Sequence, residues 1–180
     1  MKARLKITLK CNRFCPYCIN KNKAYKDKWT PISNINDVKW SIFSSLIVSG
    51  GEPTLLPPKD LINILSCLRS LTQRPIYLQT NGDLLTKSLV KEIDNYIDGI
   101  GLSIHNLKEF KSLKTRFEDI LKIKPIQLYI QDTMFFDNTT YLGKVMDKGF
   151  SFRIWKEGEF DTTEQIFVLN NKECINIRAK

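Results

Sequence analysis

The chain has 180 residues, 42% of them hydrophobic, which suits one domain with a buried core and excludes a disordered chain. No apolar run approaches the ~20 residues needed to span a bilayer, and Met1-Lys2-Ala3-Arg4 leads into a strand without the apolar segment of a signal peptide, so a cytoplasmic, membrane-free protein is expected. Twenty-eight basic against nineteen acidic residues give a net charge of +9, which favours anionic partners, yet Lys21, Lys23, Lys26 and Lys28 lack interleaved aromatics and no nucleic-acid-binding motif accompanies them, so nucleic acid is not an expected partner.

Taken in order, Arg4 to Leu9 alternates polar and apolar residues and predicts a first strand. Three of the five cysteines follow in Cys11-Asn12-Arg13-Phe14-Cys15-Pro16-Tyr17-Cys18. Offsets of four and three bring side chains to one point only from a folded loop, and thiolates suit soft or borderline metals. A structural zinc site is closed by four ligands, whereas three cysteines on a four-iron cubane leave one iron open for chemistry. A basic stretch runs to Pro31. Asn36-Asp37 is then expected to cap a short helix through Phe43, with Val38, Ile42 and Phe43 inward, and Trp29 and Trp40 as packing residues. Ser45 to Val48 forms the second expected strand and ends in Gly50-Gly51-Glu52-Pro53.

Pro57-Pro58-Lys59-Asp60 starts a helix whose Leu61, Ile62, Leu65, Leu68 and Leu71 form one stripe, with Cys67 read as a small buried hydrophobe. Pro75 to Gln79 is the third strand, followed by Thr80-Asn81-Gly82 and a helix capped by Thr86. Gly99 to Ile104 is the fourth strand and contains Leu102-Ser103-Ile104. Leu107, Phe110, Leu113 and Phe117 mark the next helix, and Ile126 to Ile130 the fifth strand. A helix from Asn138 to Gly149 leads to the sixth strand, Phe150 to Trp155. Gln165 to Leu169, Asn170-Asn171 and Glu173 to Ile177 read as a terminal β-hairpin. The regular alternation implies an α/β fold with a parallel sheet over residues 1–158, and a hairpin extension over 159–180. A closed eight-unit barrel takes ~250 residues, so this chain does not close one. His105, the single histidine, falls at a strand end, where proton transfer or substrate contact is expected. Gln131, Asp132 and Arg153 end later strands, and Arg153 suits a carboxylate or phosphate.

The cysteine triplet, with GGEP, TNG and LSI each at a strand end, resembles the radical S-adenosylmethionine (radical SAM) enzymes. The resemblance implies a partial (β/α)6 barrel in which Cys11, Cys15 and Cys18 hold a [4Fe-4S] cluster and S-adenosylmethionine chelates the fourth iron. One electron, from an external reductant such as flavodoxin or ferredoxin, then yields methionine and a 5′-deoxyadenosyl radical that abstracts hydrogen from a peptide or small-molecule substrate. By the same resemblance Gly50, Gly51, Glu52 and Pro53 bind the cofactor, Glu52 accepting from its amino group. Tyr17 lies near adenine, Ser103 faces the ribose or carboxylate, and Asn81 assists. His105 and Arg153 are the candidate catalytic side chains. Cys67 and Cys174 are too few and too far apart for a second cluster.

Two alternatives stand beside this reading. The deazaguanine-forming synthases share the compact size and the C-N-x-x-C-x-x-C pattern, but place a metal-binding threonine after the last cysteine, where this chain has Ile19-Asn20. The chain differs from glycyl-radical activating enzymes in extending beyond the smallest of them. The alternative from another class is a nucleic-acid-interaction module in which the thiols bind zinc with His105 or Cys174.

Overall fold

The computed structural model describes residues 1–131, 150–156 and 163–170. Among them eight strands form one parallel sheet in the order β2-β8-β1-β3-β4-β5-β6-β7: β1 (Ala3–Thr8), β2 (Trp29–Ile32), β3 (Leu46–Gly50), β4 (Ile76–Thr80), β5 (Gly99–Ile104), β6 (Ile126–Gln131), β7 (Ser151–Trp155) and β8 (Gln165–Leu169). Four α-helices, α1 (Lys23–Lys26), α2 (Pro58–Leu71), α3 (Lys87–Ile93) and α4 (Leu107–Leu121), lie between strands. The six expected strands are β1, β3, β4, β5, β6 and β7, and they are consecutive neighbours as the partial-barrel reading requires. The sheet stays open, with β2 and β7 at its edges.

Alternation within the strands separates two environments. Leu5, Ile7, Leu46, Val48, Ile76, Leu78, Ile100, Leu102, Ile126 and Leu128 are buried and join one core with Leu61, Leu65, Leu68, Val90, Ile93, Phe110 and Phe117 of the helices. Each fully buried aliphatic side chain contributes ~1.5–3 kcal/mol, so this outer layer carries much of the stability. The register aligns the intervening residues on the other face, Arg4 with Ile47, Lys6 with Ser49, Gln79 with Gly101, and Ser103 with Tyr129 and then Arg153. That inner face is polar and aromatic, and it lines a cavity.

Helix signals act as expected at α2, which opens on Pro58, and at α3, where the Thr86 side chain accepts from the Leu89 N–H, while α4 is capped by Asn106, which sequence reasoning did not mark and which accepts from the Glu109 N–H. In α2, Ile64 joins Leu61, Leu65 and Leu68 in full burial, while Leu71 is only half-buried. Residues 36–43 differ from expectation. They form two short 3₁₀ turns, Ile35–Asp37 and Trp40–Ile42, because Asn34 and Asp37 close a capping box one turn early and the Trp40 indole N–H donates to the Ile35 carbonyl at 2.7 Å. Trp40 and Phe43 are buried and Ile42 is exposed.

The C-terminal part also differs. Gln165–Leu169 is a strand, but it runs parallel to β1 on one side and to β2 on the other. Both of its edges are occupied, so it forms no antiparallel hairpin through these residues. The second hairpin arm, residues 173–177, and the expected helix 138–149 lie outside the described residues, as do Asp132 and Cys174. Strand β2 was missed by sequence reasoning because it is short and contains Pro31. At a sheet edge the proline's missing N–H costs no ladder bond.

The end of β3 is built on close backbone approach. The Gly51 N–H donates to the Thr8 carbonyl at 2.7 Å and the Glu52 N–H to the Lys10 carbonyl at 2.8 Å. Gly50 has φ +140°, and a Cβ there would lie 2.0 Å from the Thr8 oxygen, while one on Gly51 would lie 2.1 Å from the Lys10 oxygen. No side chain fits between the chains. Gly51→Ala should therefore destabilise the protein by about 3 kcal/mol or more, a backbone clash that rotamers cannot relieve. Chemical denaturation of the metal-free protein measures this, and a loss under 1 kcal/mol would overturn the close-approach reading.

Candidate functional site

The cavity on the inner face has a volume of about 580 Å³, and its wall includes Cys11, Cys15, Tyr17, Cys18, Gly50, Gly51, Glu52, Asn81, Ser103, His105 and Arg153. The fold thus gathers the three cysteines, His105, Arg153 and all but one of the expected cofactor residues on one surface at the C-terminal side of the sheet, while Gln131 ends β6. The exception among the cofactor residues is Pro53, which is buried at the start of a 3₁₀ turn and does not line the wall.

The cysteine loop leaves β1 and is fastened to the β4–α3 connection by side chains inside the motif. The Arg13 guanidinium donates to Asp83 at 2.8 Å and pairs with Glu109 at 3.0 Å, and Asn12 accepts from the Asn81 amide at 2.8 Å. The hydrogen bond from Arg13 holds Asp83 below the usual carboxylate range. Glu109 in turn accepts from the His105 backbone N–H at 3.0 Å, so one arginine links the loop to both the β4 and β5 exits.

Glu52 occupies the centre of this region and is 1% exposed. Its Oε1 accepts from the Thr54 N–H at 3.0 Å, the Thr54 hydroxyl at 2.6 Å and the Thr80 hydroxyl at 2.6 Å, and its Oε2 accepts from the Asn81 N–H at 2.7 Å. A buried carboxylate is tolerable only with such donors. The side chain therefore ties the β3 exit to the β4 exit, and Oε2, with one donor against three on Oε1, retains acceptor capacity. Asn81 is likewise engaged, its Oδ1 accepting from the Asp83 N–H at 2.9 Å.

Among the described residues no three Cys, His, Asp or Glu side chains converge as the ligands of a single ion do. In a cubane each thiolate binds a different iron, so its ligands stand apart around the cluster. Three thiols on one cavity wall are a donor set that fits such a cluster. Burial, reinforced by Cys18 and Cys11, raises the Cys15 thiol above its ordinary pKa, a penalty on the thiolate that a cationic iron centre offsets.

His105 and Tyr17 meet across the cavity. The Tyr17 hydroxyl is 3.0 Å from His105 Nδ1, which is 3.7 Å from the Cys15 sulfur, and the two rings stack at 5.7 Å. Burial, then the Arg13 charge, lower the His105 pKa and favour its neutral form. Trp155 of β7 packs against Tyr17 at 5.5 Å between centroids and extends the aromatic wall. The Ser103 hydroxyl accepts from the Gln79 amide at 3.5 Å, and Arg153 is exposed.

Sequence reasoning missed Arg4, Lys6, Asn20, Ser49, Gln79, Tyr129 and Glu164, which complete the wall. The signal was present in β1. Arg4 and Lys6 alternate with Leu5 and Ile7, and in a sheet with helices on one face the polar positions must look into the lumen.

The profile of the radical SAM superfamily matches residues 5–127, over two thirds of the chain. A protein of Methanocaldococcus jannaschii named for glycyl-radical enzyme activation is 27% identical over 147 residues, covering 77% of this chain and 60% of that protein. The sequence-level contrast with activating enzymes therefore did not exclude detectable similarity. GTP 3′,8-cyclase of Chlorobaculum tepidum is 28% identical over 134 residues, covering 67% of this chain and 38% of the cyclase. An S-adenosylmethionine-dependent nucleotide dehydratase of a Thermoplasmatales archaeon is 28% identical over 111 residues, covering 59% and 38%. The chain spans 60% of the first of these relatives and 38% of the other two. Among solved structures, native anSMEcpe with bound AdoMet superposes with a TM-score of 0.59 at 17% identity, covering 87% of this chain and 51% of that one, a likeness of fold. With the profile match and the cysteine loop at the β1 exit, the chain belongs to the radical SAM superfamily.

Proposed function

We propose that the protein is a radical SAM enzyme in which Cys11, Cys15 and Cys18 hold a [4Fe-4S] cluster and the wall formed by Gly50, Gly51, Glu52, Asn81 and Ser103 receives S-adenosylmethionine. When bound, the cluster and cofactor supply reductive cleavage of the sulfonium to methionine and a 5′-deoxyadenosyl radical that abstracts hydrogen from substrate. The observation that carries this reading is the gathering of three thiols, the double glycine and Ser103 on one cavity wall.

The chain's own residues then have separable tasks. Arg13, through Asp83 and Glu109, holds the cysteine loop in register with the β4 and β5 exits. Glu52 ties the β3 exit to the β4 exit and offers Oε2 to a cationic amino group. Tyr17 and Trp155 present an aromatic face suited to adenine, and neutral His105, paired with the Tyr17 hydroxyl, is placed to pass a proton at Nδ1. The electron comes from an external one-electron donor of the flavodoxin or ferredoxin kind. Names of relatives that act on nucleotides support a small-molecule substrate alongside the peptide alternative. The deazaguanine-synthase reading is weakened by Asn20, whose amide donates to the Gly50 carbonyl at 2.7 Å while its oxygen accepts from Lys6. Both ends are thus engaged by protein.

Anaerobic reconstitution should load about four irons, and the reduced protein should form 5′-deoxyadenosine from S-adenosylmethionine. Alanine at Cys11, Cys15 or Cys18 should abolish both, while Cys67→Ala should preserve both. A loaded, dithionite-reduced protein that forms no 5′-deoxyadenosine overturns the reading.

Glu52→Gln separates two tasks. An amide must turn an N–H toward one of the donors now satisfied by the carboxylate, so the metal-free protein should lose ~1–3 kcal/mol of stability. Cofactor affinity of the loaded protein should also fall about tenfold to a hundredfold, since a charge-assisted contact is worth ~1.5–3 kcal/mol. Lower stability with unaltered calorimetric affinity would leave Glu52 with the loop-tying task alone.

A further inference from the structure

Among the described residues Lys6 is the one lumen cation on β1 that makes no salt bridge, Glu164 being paired with Arg4. It is 2% exposed, yet it lines the cavity. Its ammonium donates to the Asn20 side chain and lies 4.8 Å from the ring centroids of both Tyr25 and Trp29. Neighbouring Arg4 is already neutralised, donating to Glu164 at 2.7 Å and 3.1 Å and to Gln79 at 2.5 Å. Beside Lys6 in the β1–β3 register stands Ser49, which is 6% exposed and whose hydroxyl has no hydrogen-bond partner among the described residues. It too lines the cavity.

A buried ammonium without a counter-ion and a buried hydroxyl without a partner both cost stability. Their adjacency on one cavity wall gives the two costs a common resolution, an anionic group that accepts from both. We propose that Lys6 and Ser49 form an anion subsite that anchors a carboxylate or phosphate of the substrate in the lumen. The proposal rests on the enzymatic reading above and names the substrate class of that site as anionic.

Alternative uses of Lys6 fit less well. An ordinary structural lysine at this position would be paired with a carboxylate or extended to solvent. Burial, then the Arg4 charge, outweigh the opposing pull of Cys18 and Glu164 and push the Lys6 ammonium down to about 7, so the folded protein holds this cation at a cost. Tyr25 and Trp29 face the ammonium with their rings, which eases its burial but supplies no counter-charge. Ser49 cannot neutralise it, but supplies a neutral donor that orients an oxyanion.

The test uses the full chain without cluster, so it does not depend on turnover. The melting temperature is followed against sodium phosphate and sodium malonate at constant ionic strength, with chloride as the reference anion, because ligand that binds only the folded state raises it by mass action. At least one of the two oxyanions should raise it, and their ranking separates a phosphate-bearing from a carboxylate-bearing substrate. Lys6→Met keeps the stem and removes the charge. It should raise the melting temperature of the ligand-free protein by about 2–4 °C or more and weaken the oxyanion response at least tenfold. Lys6→Arg should retain the response, and Ser49→Ala should reduce it without lowering ligand-free stability. A destabilised Lys6→Met protein, or an oxyanion response unchanged in it, overturns the subsite. In the loaded protein, competition between the oxyanion and S-adenosylmethionine would assign the subsite to the cofactor's own carboxylate and overturn the substrate role. The melting readouts of the cluster-free protein do not depend on 5′-deoxyadenosine formation, so the subsite and the enzymatic reading fail separately.

Discussion

The buried carboxylate of Glu52 is the contact on which the site depends. A charge that is 1% exposed would be intolerable alone, and it persists because two hydroxyls and two backbone N–H groups converge on it from the turn after β3 and from the end of β4. The demand runs in both directions. Thr54, Thr80 and Asn81 satisfy the charge, and in doing so they are held at fixed positions around the cavity. The double glycine before it presses the β3 exit onto Thr8 and Lys10, so the entrance to the cysteine loop is located by the same turn. Arg13 adds the outer connection to Asp83 and Glu109. Cysteine loop, β4 exit and β5 exit are thereby one rigid unit.

The second organising feature is the contrast between the faces of the sheet. Outward residues are aliphatic and covered by helices, while inward residues carry charges, amides and phenols. An open barrel can keep a polar lumen because solvent and ligand complete what the missing strands would cover. Many lumen groups are satisfied within the protein, as in the Arg4–Glu164–Gln79 arrangement. The aromatic side, Tyr17, His105 and Trp155, and the cationic side, Lys6 beneath Tyr25 and Trp29, therefore differ in chemistry across a single cavity.

Much of this was legible in the sequence because the carriers were local. The cysteine spacing, GGEP, and the helix cap at Thr86 act through neighbours within a few residues, and the six alternating strands follow from periodicity. What escaped was decided by distant partners. Trp29–Ile32 becomes a strand only because β8 lies beside it, and Gln165–Leu169 looks like a hairpin arm until β1 and β2 are known to flank it. The turns at 35–42 depended on Asn34 winning the cap and on the Trp40 indole reaching Ile35. Glu52 could be marked as functional from its motif. That it also ties two strand exits required knowing that Thr80 and Asn81 come within reach.

The insertion of β8 between β1 and β2 carries a consequence for biosynthesis. Ala3 to Lys6 pair with Gln165 to Val168, so the strand that leads into the cysteine loop has one edge bare until nearly all of the described chain has been translated. Contacts of such large sequence separation form late and slow the approach to the native state. Until then β2 has no strand beside it among the described residues, Trp29 has no wall behind it, and the Lys6 side of the lumen stands open to water. The complete cavity should consequently assemble only after β8 has emerged, with the helix-backed strands β3 to β6 as the template on which the first and last strands assemble.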